Sequence, residues 1–315
     1  MPGEAISDDS VFGKTVYGEI GALGTPGAHS SGTRPDFEMD PVLMLIEQRS
    51  GITFSGPRLE AAQVHLRAHA EQRRMASSDD LLRLLRQSST EYDALLDRLL
   101  FEPADFFHLA HAFECLSERV LPEMHMKKFW DQPRSLRVWS AGCGAGEEPY
   151  SIALAIADSL DAGEPWNIHL LASDVSQQAL QHAERGVYSA DALAAVPAHQ
   201  MEEFFLRAGD MYMVKPKLRH MVNFTRTNLI EADYMGRFDL IFCTGVLALV
   251  RPDHRARLLQ RFYECLEPGG YLFLSADDEV TELVRFDEVR SDSFLLWQKP
   301  AGSGRRMSAI AAEMA

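Results

Sequence analysis

The stretch AGCGAGEEPYS, residues 141–151, combines closely spaced glycines with two adjacent glutamates. The glycines stand at every second position: Gly142, Gly144 and Gly146. Glycines spaced in this way allow a backbone to close around a ligand. A dinucleotide-binding fingerprint would have its third glycine at position 147, but this chain has Glu147 there, followed by Glu148.

The two glutamates favour a cationic ligand at the start of the following helix. They would repel a pyrophosphate from the helix N-terminus, whereas a sulfonium or ammonium group would be attracted. S-Adenosylmethionine carries both kinds of cation and is therefore a candidate ligand. The alternative is that Glu147 and Glu148 only cap a helix, which stabilises it by a few tenths to about 1 kcal/mol.

Two further polar residues follow apolar, strand-like stretches. Asp174 lies in LLASDVS, where a doubly wound fold has the carboxylate that holds ribose hydroxyls. Its alternative role is a helix N-cap, which Ser176 could fill equally well. Asn228, in FTRTNLIEADY, could bond the edge of an adenine with Leu229 packed on the ring, or it could simply form a turn.

The sequence beyond residue 136 alternates strand-like runs with amphipathic helices. The predicted strands are LRVWSAG, NIHLLASD, FDLIFCTGV and GGYLFLSA. The last two are near-continuous apolar runs, which are typical of parallel strands buried on both faces. The alternation predicts an α/β fold with a doubly wound parallel sheet, whose ligands bind outside the carboxyl ends of the strands. The glycine loop follows the first strand and falls at that edge.

The region before the sheet is predicted to be helical. DPVLMLIEQRSG ends at Gly51, a typical helix stop, and further amphipathic stretches follow. Residues 1–35 are rich in Gly, Ser, Thr and Pro and are expected to be a disordered leader, and residues 301–315 a flexible tail. We therefore expect a helical domain at 36–121 and a larger domain at 122–300.

Composition argues against several classes of partner. The net charge is −15, with 31 Lys plus Arg against 46 Asp plus Glu, which disfavours a nucleic-acid-binding surface and docking on an anionic membrane. The N-terminus has no signal-peptide pattern, and no stretch approaches the about 20 apolar residues of a membrane span. The 4 cysteines form no CxxC pair, so we expect a reducing, cytoplasmic location.

His108, His111 and Cys115 have the i, i+3, i+7 spacing of one helix face, a pattern that could hold zinc. Packing between the two domains is the favoured role for these residues, and no metal site is predicted. Phe106 and Phe107 are expected to belong to the same interdomain core.

One long motif resembles a known family. RVWSAGCGAGEEPYSIALAIADSL is similar to the first motif of the CheR-type chemotaxis receptor methyltransferases, bacterial S-adenosylmethionine-dependent protein-glutamate O-methyltransferases. The resemblance extends from about Asp36 to Lys299 and includes LIEQRSGITFSG, ASDVSQQALQHAERGVYS, VNFTRTNLI, GRFDLIFC and LEPGGYLFLS. The AGCGAGEEPYS string is more specific than a generic glycine loop.

The resemblance implies a small helical domain followed by a Rossmann-like class I methyltransferase domain. It also implies an antiparallel β subdomain at roughly 190–225, with strands supplied by MYMVKPKLRHMVNF. S-Adenosylmethionine would be the cofactor and S-adenosylhomocysteine the product. The implied partner is a protein, such as the cytoplasmic coiled coil of a chemoreceptor or a related signalling protein, and not a nucleic acid.

The resemblance also assigns the cofactor site. Glu147 would face the methionine end, Asp174 the ribose, and Asn228 with Leu229 the adenine. The implied cofactor-binding residues are Ala141, Gly142, Gly144, Gly146, Glu147, Asp174, Asn228 and Leu229.

The chain departs from the family pattern on the side that would face the methyl acceptor. The family's TxFFR is ADFFH here, its CRN is CTG, and an expected tyrosine is a leucine. The altered residues are Ala104, His108, Thr244, Gly245 and Leu249. His108 stands at the family's arginine position and is the catalytic candidate, since a histidine can carry a positive charge when protonated.

These residues leave more than one function open. A carboxylate acceptor is already an anion and needs no general base, so alignment and exclusion of water would supply the rate. The resemblance therefore implies a methyltransferase acting on glutamate side chains of a chemoreceptor-like protein. The alternatives are a weak or inactive protein that binds the cofactor or acts as a scaffold, and a methyltransferase with a different acceptor.

Overall fold

The computed structural model describes residues 38–102, 104–131, 134–160, 166–231, 236–276, 278, 286–289 and 294–301. The predicted leader at 1–35 and all of the predicted tail except Ala301 lie outside these residues. Within the described ranges, no helix combines the length and the apolar character needed to cross a membrane.

The described strands are β1 Arg134–Ala141, β2 Trp166–Asp174, β3 Val187–Ser189, β4 Phe205–Ala208, β5 Met211–Val214, β6 Val222–Arg226, β7 Phe238–Cys243, β8 Leu266–Ser275, β9 Asp287–Val289 and β10 Phe294–Gln298. The described helices are α1 Asp40–Ser50, α2 Gly56–Gln72, α3 Ser78–Gln87, α4 Ser89–Leu100, α5 Ala110–Cys115, α6 Leu121–Lys127, α7 Glu147–Ser159, α8 Gln177–Arg185, α9 Ala198–Phe204, α10 Pro216–Arg219 and α11 Pro252–Cys265. A π-helical stretch, Leu116–Val120, joins α5 to α6.

Seven of these strands form one sheet in the order β6-β2-β1-β7-β8-β10-β9. Neighbours from β6 to β8 are parallel, and β10 is antiparallel to both β8 and β9. The order reverses at β1, as it does in doubly wound sheets. This architecture confirms the predicted α/β, Rossmann-like fold.

Helices cover both faces of the sheet. Side chains of α5, α6 and α7 pack in one cluster with Leu136 and Val138 of β1, while α11 packs on the other face with Trp139 and Ala141. All six residues of β7 are buried, which explains its sequence, apolar except for Asp239. The chain from α5 to residue 121, which the sequence assigned to the helical domain, packs instead on the sheet, because its apolar residues face α7.

Helices α1 to α4 precede this layer, and α1 ends at Gly51 in the left-handed conformation, as predicted. The backbone after α1 pairs with the segment after β7, since the Thr53 N–H donates to the Leu249 carbonyl at 2.8 Å. The Arg226 guanidinium also bonds both carboxylate oxygens of Asp93 in α4, at 2.7 and 3.1 Å. These contacts bring the helical segment to the edge of the sheet where its strands end.

A separate antiparallel sheet has the order β3-β5-β4. Its strands lie within 187–214, so the predicted subdomain at 190–225 was placed too far along the chain. The VNF part of MYMVKPKLRHMVNF belongs to β6, which pairs with β2 in the central sheet. A short exposed turn and helix α10 separate β5 from β6, and sequence alone did not reveal that the two strands join different sheets.

Candidate functional site

A cavity opens at the carboxyl ends of β2, β1 and β7, where the strand order reverses. Ligands of doubly wound sheets bind at this switch point. The glycine loop, the ends of β2 and β6 and the segment after β7 form its walls. Ser50, Ile52 and Arg58 reach it from the helical segment, and Ala104 and His108 reach it from the turn before α5.

The glycine loop is held against β2 and leaves room in the cavity. Gly142 has φ 86°, and a Cβ there would lie 2.2 Å from Cγ2 of Val246, so only glycine fits. Gly144 has φ 53° and lines the cavity, and a Cβ there would meet nothing within 4 Å. Its N–H donates to Oδ2 of Asp174 at 3.0 Å, which fixes the loop beside β2.

Gly146 and Ala141, which were also predicted to bind the cofactor, do not line the cavity. A Cβ on Gly146 would lie 2.6 Å from the hydroxyl oxygen of Tyr188 and 2.7 Å from Cβ of Ala183. Gly146 therefore allows α7 to begin close to α8 and β3. Ala141 is fully buried in the apolar cluster between the sheet and α11.

Glu147 is the first residue of α7, and only 3% of it is exposed although it lines the cavity. Burial raises the pKa of its carboxyl from 4.5 to about 7. Hydrogen bonds from its own backbone N–H and from that of Ala104, which favour the carboxylate, offset part of that rise. The side chain therefore touches both the cavity and the turn before α5.

Glu148 also lines the cavity and is buried. Its carboxylate accepts hydrogen bonds from the hydroxyls of Ser140, at 2.6 Å, and Thr244. Burial raises the pKa of this carboxyl, and the nearby Asp278 carboxyl acts in the same direction, whereas His108 stabilises the charged form. Glu148 was part of the cationic-ligand argument but was not among the predicted cofactor-binding residues.

Asp174 lies at the end of β2 and lines the cavity as predicted. Burial raises the pKa of its carboxyl, and backbone N–H groups, among them those of Ser176 and Gly144, lower it again by hydrogen bonding. The Ser176 hydroxyl itself accepts from the Ala179 N–H and caps α8. Asp174 is therefore not needed as the helix cap.

Asn228 and Leu229 line the same cavity, after β6. The side-chain oxygen of Asn228 accepts a hydrogen bond from the Ile230 N–H at 3.0 Å, so the residue also forms the turn that the sequence left open. The Arg261 guanidinium donates to the carbonyls of Leu229 and Ile230 and fixes this wall.

The altered residues of the acceptor side all reach the cavity. These residues are Ala104, His108, Thr244, Gly245 and Leu249. Arg58 and His108 are exposed where they line it, and so is Glu102. The exposed rim of the cavity therefore has two basic side chains, Arg58 and His108, and the carboxylate of Glu102. The wall behind the rim contains the buried carboxyl groups of Glu147 and Glu148.

Asp278 supports this side without lining the cavity. Its carboxylate accepts the Ala248 N–H at 3.2 Å and the Ser275 N–H at 2.9 Å, and the Ser275 hydroxyl oxygen accepts the Gly245 N–H. Burial raises the pKa of Asp278. Asp278 and Arg58 were not predicted from the sequence, because neither stands in a recognisable motif and only the fold brings them here.

The possible zinc ligands and the loop cysteine do not form further reactive sites in the described part of the chain. His108 lies before α5, which begins at Ala110, so His108, His111 and Cys115 do not share one helix face. No cluster of His, Cys, Asp and Glu that could hold a metal ion occurs in the described part of the chain. Burial raises the pKa of the Cys143 thiol well above its ordinary value, which disfavours a nucleophilic thiolate.

Comparison with known proteins places these features in context. The family model of the CheR methyltransferase SAM-binding domain matches residues 103–295. A chemotaxis protein methyltransferase of Vibrio parahaemolyticus is 30% identical and covers 84% of this chain and 98% of its own length. An uncharacterized 104.1 kDa protein of Rhodobacter capsulatus is 26% identical over 85% of this chain, and the chain spans only 28% of that protein. The solved N-methyltransferase NodS of Bradyrhizobium japonicum is 14% identical and covers 60% of this chain and 97% of its own, with a TM-score of 0.33.

Proposed function

This chain belongs to the CheR family of S-adenosylmethionine-dependent methyltransferases, and on that premise we propose that it methylates glutamate side chains of a chemoreceptor-like protein. One observation carries the proposal: buried carboxylates, Glu147 and Glu148, line a cavity whose exposed rim includes Arg58 and His108. A cationic cofactor suits the buried wall, and an anionic acceptor suits the two basic side chains of the rim.

The residues of the cavity fit S-adenosylmethionine. The raised pKa values of Glu147 and Glu148 reflect a charge that burial disfavours, and a nearby cation would stabilise their charged forms. The open space at Gly144 leaves room for a ligand beside the loop. Asp174 would accept hydrogen bonds from ribose hydroxyls, and Asn228 with Leu229 would contact the adenine.

The chemistry needs positioning more than proton transfer. When bound, S-adenosylmethionine supplies a methyl group on a sulfonium, and transfer to a glutamate carboxylate forms the C–O bond of an ester as the C–S bond breaks, which leaves neutral S-adenosylhomocysteine. Arg58 and a protonated His108 would hold the incoming carboxylate by charge-assisted hydrogen bonds. Leu249, the Ile52 side chain and the turn before α5 would exclude water around the reacting charges.

The names of the relatives support an inference about the methyl acceptor. The 30% identical relatives are named chemotaxis protein methyltransferases, and we infer that the acceptor is a glutamate-rich helical segment of a chemoreceptor or a related signalling protein. Such a segment would approach the rim formed by α2 and the turn before α5, where Arg58 and His108 are exposed.

The test is methyl transfer with a labelled cofactor. Purified protein is incubated with methyl-tritiated S-adenosylmethionine and a cytoplasmic chemoreceptor fragment, and with the same fragment in which the candidate glutamates are glutamines. A carboxyl methyl ester releases its label as methanol in alkali, whereas an N-methyl group does not. Base-labile label on the glutamate fragment alone is the expected result.

The other results would each reject the proposed acceptor. Base-stable label would identify a methyltransferase for a different nucleophile. Cofactor binding without any transfer, on receptor fragments from several sources, would leave a protein that binds the cofactor and acts as a scaffold.

A further inference from the structure

Segment 104–108, with the sequence ADFFH, crosses from the helical part of the chain to α5 at the rim of the cavity. Ala104 and His108, at its two ends, line the cavity, whereas Phe106 between them is fully buried. The position of His108 relative to Glu148 therefore depends on how the backbone of this short segment is held.

The N-terminal part of α7 holds the segment through a serine, the fifth residue of the helix. The Ser151 hydroxyl oxygen accepts the Phe107 N–H at 2.9 Å, and the same hydroxyl donates to the Glu147 carbonyl at 2.7 Å. Ser151 is 0% exposed and does not line the cavity. The Ala104 N–H donates to the Glu147 side chain, so the start of α7 also holds the start of the segment.

Phe107 has an unusual backbone conformation at the bonded position. Its φ is 55°, in the left-handed region that residues with a side chain rarely adopt. Such conformations cost backbone free energy and persist only where the surroundings fix them. The surroundings here include the hydrogen bond to Ser151 and the packing of the Phe107 ring on Phe113, with centroids 5.1 Å apart. The Phe106 N–H also donates to the Ala192 carbonyl at 2.9 Å.

A change at Phe107 would be transmitted directly to the next residue. If the bond to Ser151 were lost, Phe107 could relax to a negative φ, which rotates the chain at the point where it enters His108. His108 and Glu148 both line the cavity that this segment borders. The left-handed turn at Phe107 therefore sets the direction in which the backbone enters His108 at the cavity.

We propose that Ser151 is a positioning residue for the acceptor side of the site: it holds Phe107 in its left-handed conformation and thereby sets His108 at the cavity. The inference rests on the proposed function, because it assigns the consequence to methyl transfer. It goes beyond that function by predicting that a residue outside the cavity separates acceptor use from cofactor binding.

The experiment compares Ser151→Ala with Ser151→Thr, which keeps the hydroxyl, and with Ser88→Ala as a control. The Ser88 hydroxyl likewise accepts a backbone N–H, that of Glu91 at 3.2 Å, but it lies at the start of α4. For each folded variant, three quantities are measured: hydrogen exchange of the Phe107 amide, the dissociation constant of S-adenosylmethionine, and kcat and KM for the receptor fragment.

In Ser151→Ala, the Phe107 amide is expected to lose its protection while cofactor affinity stays within about twofold of wild type. Misplacement of a group in the site is expected to lower kcat/KM for the acceptor by about 10- to 100-fold. Ser151→Thr is expected to restore the protection and most of the activity, and Ser88→Ala to change neither.

Three results would overturn the proposal: retained protection of Phe107 in Ser151→Ala, an equal loss of cofactor affinity and activity, or the same loss in Ser88→Ala. If the wild-type protein transfers no methyl group, the proposed function has failed. In that case the hydrogen-exchange and affinity measurements by themselves test the role of Ser151. Lost protection with unchanged affinity retains Ser151 as the residue that sets the cavity rim, and retained protection rejects it.

Discussion

The Thr244 hydroxyl, at the end of β7, donates a hydrogen bond to the Glu148 carboxylate at the start of α7. The family pattern CRN has an arginine at this position, and CTG replaces that cation with a neutral donor. Glu148 therefore keeps its hydrogen bond but has no arginine beside it from this strand. Among the described residues that line the cavity, the side chains that can balance the negative charge of its wall are Arg58 and His108 on the rim.

The first prediction concerns the sign of this charge. Glu147→Lys is expected to weaken S-adenosylmethionine binding by about 30- to 1,000-fold, since a buried carboxylate facing a cation is replaced by a second cation. Isothermal titration calorimetry measures the change. Glu264→Lys, an exposed residue of α11 outside the cavity, makes the same charge change and is expected to leave affinity unaltered. Equal affinities in all three proteins would show that Glu147 does not face the cofactor.

The second prediction is a pH dependence of cofactor affinity. Burial raises the pKa of Glu147 to about 7, so the cofactor-free protein binds a proton there below that pH. A cationic ligand prefers the carboxylate, and affinity should therefore be full above about pH 7 and fall below it, by at most about tenfold per pH unit. Calorimetry from about pH 5.5 to about pH 8.5 tests the slope, which Glu147→Gln should flatten.

The same pKa has the opposite effect on the stability of the cofactor-free protein. Because the folded-state pKa of Glu147 lies above its ordinary value of 4.5, the folded state binds more protons between the two values. This group's contribution to the free energy of unfolding therefore decreases as pH rises from 4.5 to about 7. A flat affinity profile in wild type, or an identical slope in Glu147→Gln, would contradict the assignment of this carboxyl.

The third prediction separates two glycines of one loop. Gly142→Ala should destabilise the protein by about 2–4 kcal/mol, because a left-handed alanine is strained and its Cβ overlaps Val246. Gly144→Ala carries the strain without the overlap and should lose about 1–2 kcal/mol. Urea unfolding measures both losses. Equal losses would mean that Val246 moves away at little cost.

The fourth prediction concerns the acceptor side. Gly245 has φ 70° and open space around its Cα, and asparagine tolerates the left-handed conformation, so Gly245→Asn fits the backbone. Combined with His108→Arg, it restores the two family residue types and should raise kcat/KM for a glutamate acceptor by about tenfold or more. His111→Arg with Gly245→Asn is the control, since His111 is exposed outside the cavity. No gain in the first double variant would argue for a different acceptor.

Part of this site could be predicted because its residues are local in sequence. The apolar runs of β1 and β7 show that these strands are buried, and the glycines and glutamates of the loop indicate a ligand site. The carboxyl ends of adjacent parallel strands lie at the same edge of the sheet, so these residues must come together. Gly146 lies against Tyr188 and Ala183 and does not line the cavity, and such a close approach requires glycine just as a close approach to a ligand does. Sequence patterns do not distinguish these causes.

The rest depends on contacts between distant segments. Arg58 reaches the cavity because the backbone after α1 pairs with the segment after β7, and Asp278 supports that segment from beyond β8. Neither contact leaves a periodic pattern. The left-handed conformation of Phe107 likewise could not be predicted from the sequence, since a glycine or asparagine ordinarily occupies such a position.

The most direct test of the account is a calorimetric titration of the purified chain with S-adenosylmethionine and, separately, with S-adenosylhomocysteine. Saturable binding of one molecule of either ligand in the micromolar range is expected, with the same site lost in Glu147→Lys. Absence of heat with both ligands up to millimolar concentration would contradict it, because the cavity at the ends of β1, β2 and β7 would then not hold the cofactor of its family.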